Sequence, residues 1–204
     1  MRALLVVDVQ NDFMPFGTLP VRDGDAVVPI ANALAPVFPL VVASQDWHPA
    51  DHASFASNHP GCQPGDVIEI AGESQVLWPD HCVQDLPGAS FHSGLDVALI
   101  DHVVRKGSDR AIDSYSTFFD NGHRRETGLR DLLVDRGVDE IYIVGLATDY
   151  CVRWSAHDAR ALGLKVAVVV EGVRAVDLVE GDGARALDEM REAGCRIVSA
   201  GEVY

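Results

Sequence analysis

Six short apolar runs, most of them rich in β-branched residues, recur along this chain with helical patterns between them. Few folds accommodate that alternation. The runs cover 2–8, 40–46, 103–106, 140–144, 165–170 and 196–199. Between them, apolar residues fall at helical spacing over 24–37 (Val27, Val28, Ile30, Ala31, Leu34) and over 126–136 (Leu129, Leu132, Leu133). The same spacing returns over 148–162 (Val152, Ala156, Ala159, Leu162) and over 183–193. Pro36 and Pro39, Gly137 and Gly163 stand where the first three of these patterns end, as helix stops do. Strands that are apolar on both faces and alternate with helices predict an α/β protein with a parallel sheet covered on both sides.

Ligands of such sheets bind beyond the carboxyl ends of the strands. Four of the runs end on, or just before, a residue able to do chemistry: Asp8, Asp46, Lys106 and Cys151. Cys151 follows the strand at 140–144 and opens the predicted helix, with Thr148 or Asp149 as its N-cap. The positive end of a helix favours a thiolate there. For a lone cysteine an inert core thiol is the commoner case at such a place, so its neighbours decide. Lowering a thiol pKa from about 8.5 to about 6 takes about 3.4 kcal/mol, at about 1.36 kcal/mol per unit. A helix start contributes about 0.3–1 kcal/mol, or about 2 when partly buried, so a cation is needed as well. Lys106 is the candidate, one of only two lysines among sixteen basic residues. Asp8 could accept the thiol proton and return it to a leaving amine. Backbone amides of the turn at 145–150 could hold a developing oxyanion.

One stretch breaks the alternation. From 47 to about 95 the chain is rich in His, Pro, Gly, Asp and Ser without periodicity, and it holds five of the eight histidines. An excursion of that length inside a domain is usually functional. Asp46 and His48 point alike in an extended segment, and His81 is the natural third member of a metal site. One carboxylate and two imidazoles leave open positions on zinc, iron or manganese. A closed structural zinc would instead recruit His52, Cys62 or Cys82. Phe13, Trp78 and Tyr115, from loops bordering the same edge, could wall a slot for a planar ring.

Charge narrows the partners. A formal net charge of −15 at pH 7 argues against nucleic acid or an anionic membrane, since both need a basic face. The 204 residues suit one domain carrying the excursion. Four cysteines without framework spacing, and no secretory leader, predict reduced thiols in the cytoplasm.

Five motifs in this order, spread over essentially the whole chain, resemble the isochorismatase-like cysteine hydrolases. They are Asp8-Val-Gln-Asn-Asp-Phe13, Ser44-Gln-Asp-Trp-His-Pro-Ala-Asp-His-Ala-Ser-Phe55, Trp78-Pro-Asp-His-Cys-Val83, Lys106-Gly107 and Gly145-Leu-Ala-Thr-Asp-Tyr-Cys151. The second and third narrow the likeness to the nicotinamidase/pyrazinamidase branch, because isochorismatases lack the metal site. The resemblance implies a three-layer α/β/α fold with a six-stranded parallel sheet. It implies hydrolysis of nicotinamide to nicotinate and ammonia in NAD salvage, with pyrazinamide as a further substrate. Cys151 is then the nucleophile, Asp8 the acid/base and Lys106 the cation. Asp46, His48 and His81 hold one divalent metal, zinc before iron or manganese, which meets the pyridine nitrogen. Phe13, Trp78 and Tyr115 form the ring wall. Ala147 and Cys151 supply the oxyanion amides, with a cis peptide before Thr148. Left open are another small amide as substrate (a carbamoyl compound or biuret), a non-catalytic metal-binding scaffold, a dimeric or larger homo-oligomer, and the roles of His52 and Tyr150.

Overall fold

Apolar residues on both faces of the central strands let one sheet lie between two helical layers. A computed structural model describes residues 1–70 and 72–204. In chain order the strands and α-helices are β1 (Arg2–Val7), α1 (Val27–Leu34), β2 (Val41–Asp46), β3 (Val67–Ile70), β4 (Glu73–Val76), β5 (His102–Lys106), α2 (Leu129–Asp135), β6 (Glu140–Leu146), α3 (Arg153–Ala161), β7 (Lys165–Arg174), α4 (Asp182–Glu192) and β8 (Arg196–Val198). Six strands form the parallel sheet that the alternation predicts, in the order β5-β2-β1-β6-β7-β8.

Alternate residues of the middle strands feed two cores. Leu4, Val6, Val41, Ala43, Tyr142 and Val144 face α1, which contributes Val27, Val28, Ala31 and Leu34. Ala3, Leu5, Val7, Val42, Ile141 and Ile143 face the other way, toward Leu129 and Leu133 of α2, Ala156 and Ala159 of α3, and Met190 of α4. Each fully buried Val, Leu or Ile contributes about 1.5–3 kcal/mol. A one-residue slip would exchange the faces, so the cores lock the register that places every strand end. The chain winds outward from β1 to β2 and β5, then returns to β1's other side for β6. The switch point therefore falls between β1 and β6, where Asp8 and Cys151 emerge.

Three expectations are corrected. The stretch after Trp47 is not structureless: β3 and β4 pair as an antiparallel hairpin, Val67 opposite Val76 and Ile70 opposite Glu73. Its four-residue strands are too short to show a period. The helix expected from Thr148 begins at Arg153, because Thr148–Val152 makes a π-helical turn in which the Val152 amide reaches the Ala147 carbonyl at 3.1 Å. Neither Thr148 nor Asp149 caps it; the Asp149 carboxylate turns away to the amides of Val176 and Asp177. Finally, β7 runs to Arg174, with a register shift opposite Ile143 and Gly145.

Candidate active site

Register brings the expected groups together. β2 and β5 pair Asp46 with Lys106 directly, and β1 and β6 pair Val7 with Gly145. Gly145 has φ +119°, and a Cβ there would lie 2.0 Å from the Val7 carbonyl oxygen, so this approach of β6 to β1 requires glycine. Four adjacent strands thus deliver Lys106, Asp46, Asp8 and Cys151 side by side.

Lys106 is the hub. Its side chain is fully buried, with Nζ 2.6 Å from Asp46 Oδ1, 2.9 Å from Asp8 Oδ2, 2.9 Å from the Ser114 carbonyl and 3.3 Å from Cys151 Sγ. Burial disfavours its charge, but Asp46 and Asp8 outweigh that and keep the ammonium protonated far into alkali. Burial likewise works against the Asp46 carboxylate, yet Lys106 and His48 hold it below the usual carboxylate range. Asp8 accepts the Ser44 hydroxyl at 2.6 Å, but burial and the neighbouring Asp46 prevail and push it up to about 6.

The Cys151 thiol departs from the expected thiolate. Burial, with Asp8 and Asp46 nearby, pushes it well above the ordinary cysteine value, and Lys106 offsets only part of this. Burial is the main cause, and Lys106 cannot cancel it because two carboxylates already share the ammonium. The cis peptide also lies one residue earlier than expected, at Leu146–Ala147 rather than before Thr148. Pairing with β7 carries β6 through Leu146, so the chain leaves the sheet at that bond.

Asp46, His48 and His81 lie with one potential ligand atom each within 4.8 Å of one another, all buried. His48 Nδ1 donates to the Gly107 carbonyl and His81 Nδ1 to the Pro79 carbonyl, both at 2.8 Å, which leaves each Nε2 as the ligand-capable nitrogen. Gly107 makes room for the ring: at φ +64°, its Cβ would sit 2.3 Å from His48 Cε1. The donor set therefore fits a divalent ion with open positions. Burial and His48 push His81 down to about 4, so its imidazole is neutral and able to ligate. His52 lies 4.2 Å from the His48 ring at a 40° tilt, and its Nδ1 accepts from the Ser54 amide at 3.3 Å and from the Ser54 hydroxyl at 2.7 Å. It belongs to a second trio, with His48 and Asp113.

Phe13, Trp78 and Tyr115 line one cleft together with Asp46, His81 and Cys151. Leu19, Asp113, Ala147, Tyr150 and Val176 complete it. Tyr150 packs 4.8 Å from Trp78, edge to face, and 5.4 Å from Tyr115. The Tyr115 hydroxyl accepts from Trp78 Nε1 at 3.2 Å and from Gln75 Nε2 at 2.9 Å, which anchors the wall to the β3–β4 hairpin. Asp113, Leu19 and Val176 were not singled out in the sequence. Asp113 stands two residues before Tyr115, and side chains at i and i+2 of extended chain point alike, so that spacing was the available signal.

A buried thiol, ammonium and carboxylate at the switch point of a parallel α/β/α sheet define a cysteine-hydrolase architecture. The chain belongs to the isochorismatase family: the Isochorismatase domain pattern matches residues 2–202. It is 48% identical to the nicotinamidase of Escherichia coli (strain K12), over 96% of this chain and 93% of that protein. Among solved structures it is similar to an Acinetobacter baumanii nicotinamidase/pyrazinamidase, with TM-score 0.96 and 44% identity over 100% of this chain and 98% of that one. The yeast nicotinamidase bound to the inhibitor nicotinaldehyde aligns with TM-score 0.91 and 30% identity, covering 98% and 100%. A Pyrococcus horikoshii pyrazinamidase in complex with zinc aligns with TM-score 0.79 and 36% identity, covering 97% and 98%. No helix among the described residues is long and apolar enough to cross a membrane.

Proposed function

We propose that this chain is an amidohydrolase that converts nicotinamide to nicotinate and ammonia through a thioester on Cys151. The observation that carries the reading is one cleft lined by a thiol, by two of three clustered ligand residues and by an aromatic wall, with the ammonium and carboxylate partners of the thiol buried next to it. A nicotinamidase with 48% identity and a zinc-bound pyrazinamidase neighbour support both the substrate and the ion.

The chemistry follows from the charges. Lys106 is already shared by two carboxylates, so a thiolate formed by loss of its proton to water would add a further negative charge beside them. Transfer of that proton to Asp8 leaves the total unchanged, and a carboxyl near 6 is suited to both take and return it. Cys151 Sγ attacks the carboxamide carbon as its proton passes to Asp8, and the amides of Ala147 and Cys151 receive the developing oxyanion. The C–N bond breaks, Asp8 returns the proton to the leaving nitrogen, and ammonia departs. Water then adds to the thioester, giving its proton to Asp8. The C–S bond breaks, the Asp8 proton restores the thiol, and the nicotinic acid released gives its remaining proton to solvent to become nicotinate. Asp46, His48 and His81 would hold one divalent ion, zinc before iron or manganese, which when bound supplies an electrophile for the pyridine nitrogen. Phe13, Trp78 and Tyr115, joined by Tyr150, hold the ring flat and keep water from its faces.

Ammonia release from nicotinamide by reduced, metal-replete protein is the direct test, with pyrazinamide expected to turn over too. Release from biuret or a carbamoyl compound, but not from nicotinamide, would overturn the ring-binding reading.

A further inference from the structure

The carboxylate nearest the nucleophile in sequence reaches neither Cys151 nor the helix that follows. Asp149 is 3% exposed; its Oδ1 accepts the Val176 amide at 3.0 Å and its Oδ2 the Asp177 amide at 2.9 Å, 27 and 28 residues along the chain. Both of its oxygens are thus committed to the segment that leaves β7. That segment borders the cleft, since Val176 lines it together with Ala147 and Cys151. It is fixed from behind as well. Asp177 holds a left-handed backbone, φ +52°, and its Oδ1 accepts the Gly183 amide of α4 at 2.8 Å. Gly183 permits the approach, because a Cβ there would meet the Ala175 Cβ at 2.5 Å.

We propose that Asp149 is a positioning residue for the oxyanion amides of Ala147 and Cys151, holding their turn in register with the cleft wall at Val176. The inference rests on the nicotinamidase reading above. Asp149 sits midway between the two amides, two residues from each, and the turn lacks any side-chain cap of its own. Two backbone bonds to the Ala147 carbonyl close the turn on itself, and one carboxylate ties it to the fold outside through the amides of Val176 and of Asp177, the residue that α4 holds in place. Asp149 touches no reacting atom; it acts through the backbone on either side of it.

The test separates the oxyanion site from the thiol. Nicotinaldehyde adds Cys151 Sγ to its carbonyl carbon; the carbonyl π pair moves to oxygen, the thiol proton passes to Asp8, and nothing is oxidised. The new oxyanion needs the amides, whereas alkylation by iodoacetamide does not. Asp149→Asn keeps one acceptor and turns an N–H2 toward the other amide. Its kcat on nicotinamide should fall about 10–100-fold with KM within about threefold, the scale of a small misplacement of catalytic groups. Nicotinaldehyde affinity should fall by a similar factor, with Cys151 alkylation within about twofold of wild type. Asp177→Ala loosens the same segment without touching the nucleophile turn; it should show the same pattern more weakly, and it carries the test if the first variant does not fold. Unchanged kcat and aldehyde affinity would overturn the proposal, as would alkylation falling in parallel with kcat, which would mark general loosening of the turn. A wild-type protein inactive on nicotinamide would overturn the activity reading itself, a result distinct from an active wild type with an unaffected Asp149→Asn.

Discussion

The two ends of the cleft are built by different means. At the reacting end, Asp8, Lys106 and Cys151 issue from hydrogen-bonded strands whose register is locked by two apolar cores. At the ring end, His48, His81, Trp78 and Tyr115 stand on loops, and each is aimed by a bond to a neighbour: the Gly107 and Pro79 carbonyls for the imidazoles, a shared hydroxyl contact for the aromatic pair. Displacing the reacting end means shifting a strand, whereas the ring end can be altered one bond at a time. Chemistry common to a family suits the first construction, and choice of substrate suits the second.

The largest effect should come from removing the base at the rigid end. Asp8→Asn leaves shape nearly unchanged but abolishes the group that takes the Cys151 proton, so kcat should fall about 10²–10⁴-fold, the usual worth of a positioned acid/base. Bound metal should be retained. Asp8 works only when ionised, and burial raises it to about 6. Wild-type kcat/KM should therefore hold above about pH 6 and decline as pH falls through that value; the variant's residual rate should lack this acid limb. A profile flat to pH 5 in wild type would remove Asp8 from the proton path.

The ring end should break without the reacting end. Gly107→Ala forces a methyl into the space of the His48 ring and puts alanine at φ +64°. The His48 ring must turn and give up the 2.8 Å bond that aims it. Loss of such an aiming bond typically lowers metal affinity about 10–100-fold. Chelator competition should show that loss, excess metal should recover much of the activity, and alkylation of Cys151 should stay near the wild-type rate. Equal loss of alkylation would show that the two ends are not separable.

How far the sequence was legible follows the same division. Val6 and Val7 feed opposite cores, and apolar runs of that kind, alternating with helical patterns along the chain, were enough to place Asp8, Asp46 and Lys106 on one edge. Contacts across the edge were harder to see. Lys106 could be named as the cation for Cys151, but that Asp8 and Asp46 both engage it is a matter of tertiary distance, so the thiol's upward shift was missed. The π-helical turn was hidden because Ala156 and Ala159 keep helical spacing on its far side, and nothing local reveals an amide reaching back five residues. Gln75 was illegible for a related reason: its hydrogen bonds join the hairpin to Asp113 and Tyr115, 38 and 40 residues away.

The smallest effect should come from one hydroxyl. Tyr115→Phe keeps the aromatic face but leaves Trp78 Nε1 and Gln75 Nε2 without the oxygen they share. A net hydrogen bond contributes about 0.5–1.5 kcal/mol, which is about 2–10-fold in affinity. KM for nicotinamide should rise by that factor with kcat nearly constant, because the ring is held less firmly while the thiol, base and amides are untouched. Metal affinity should not change, since the hydroxyl bonds to the wall and not to His48 or His81. A fall in kcat with KM unchanged would mean that the wall aligns the carboxamide for attack, and the separation of the two ends would then fail at Tyr115.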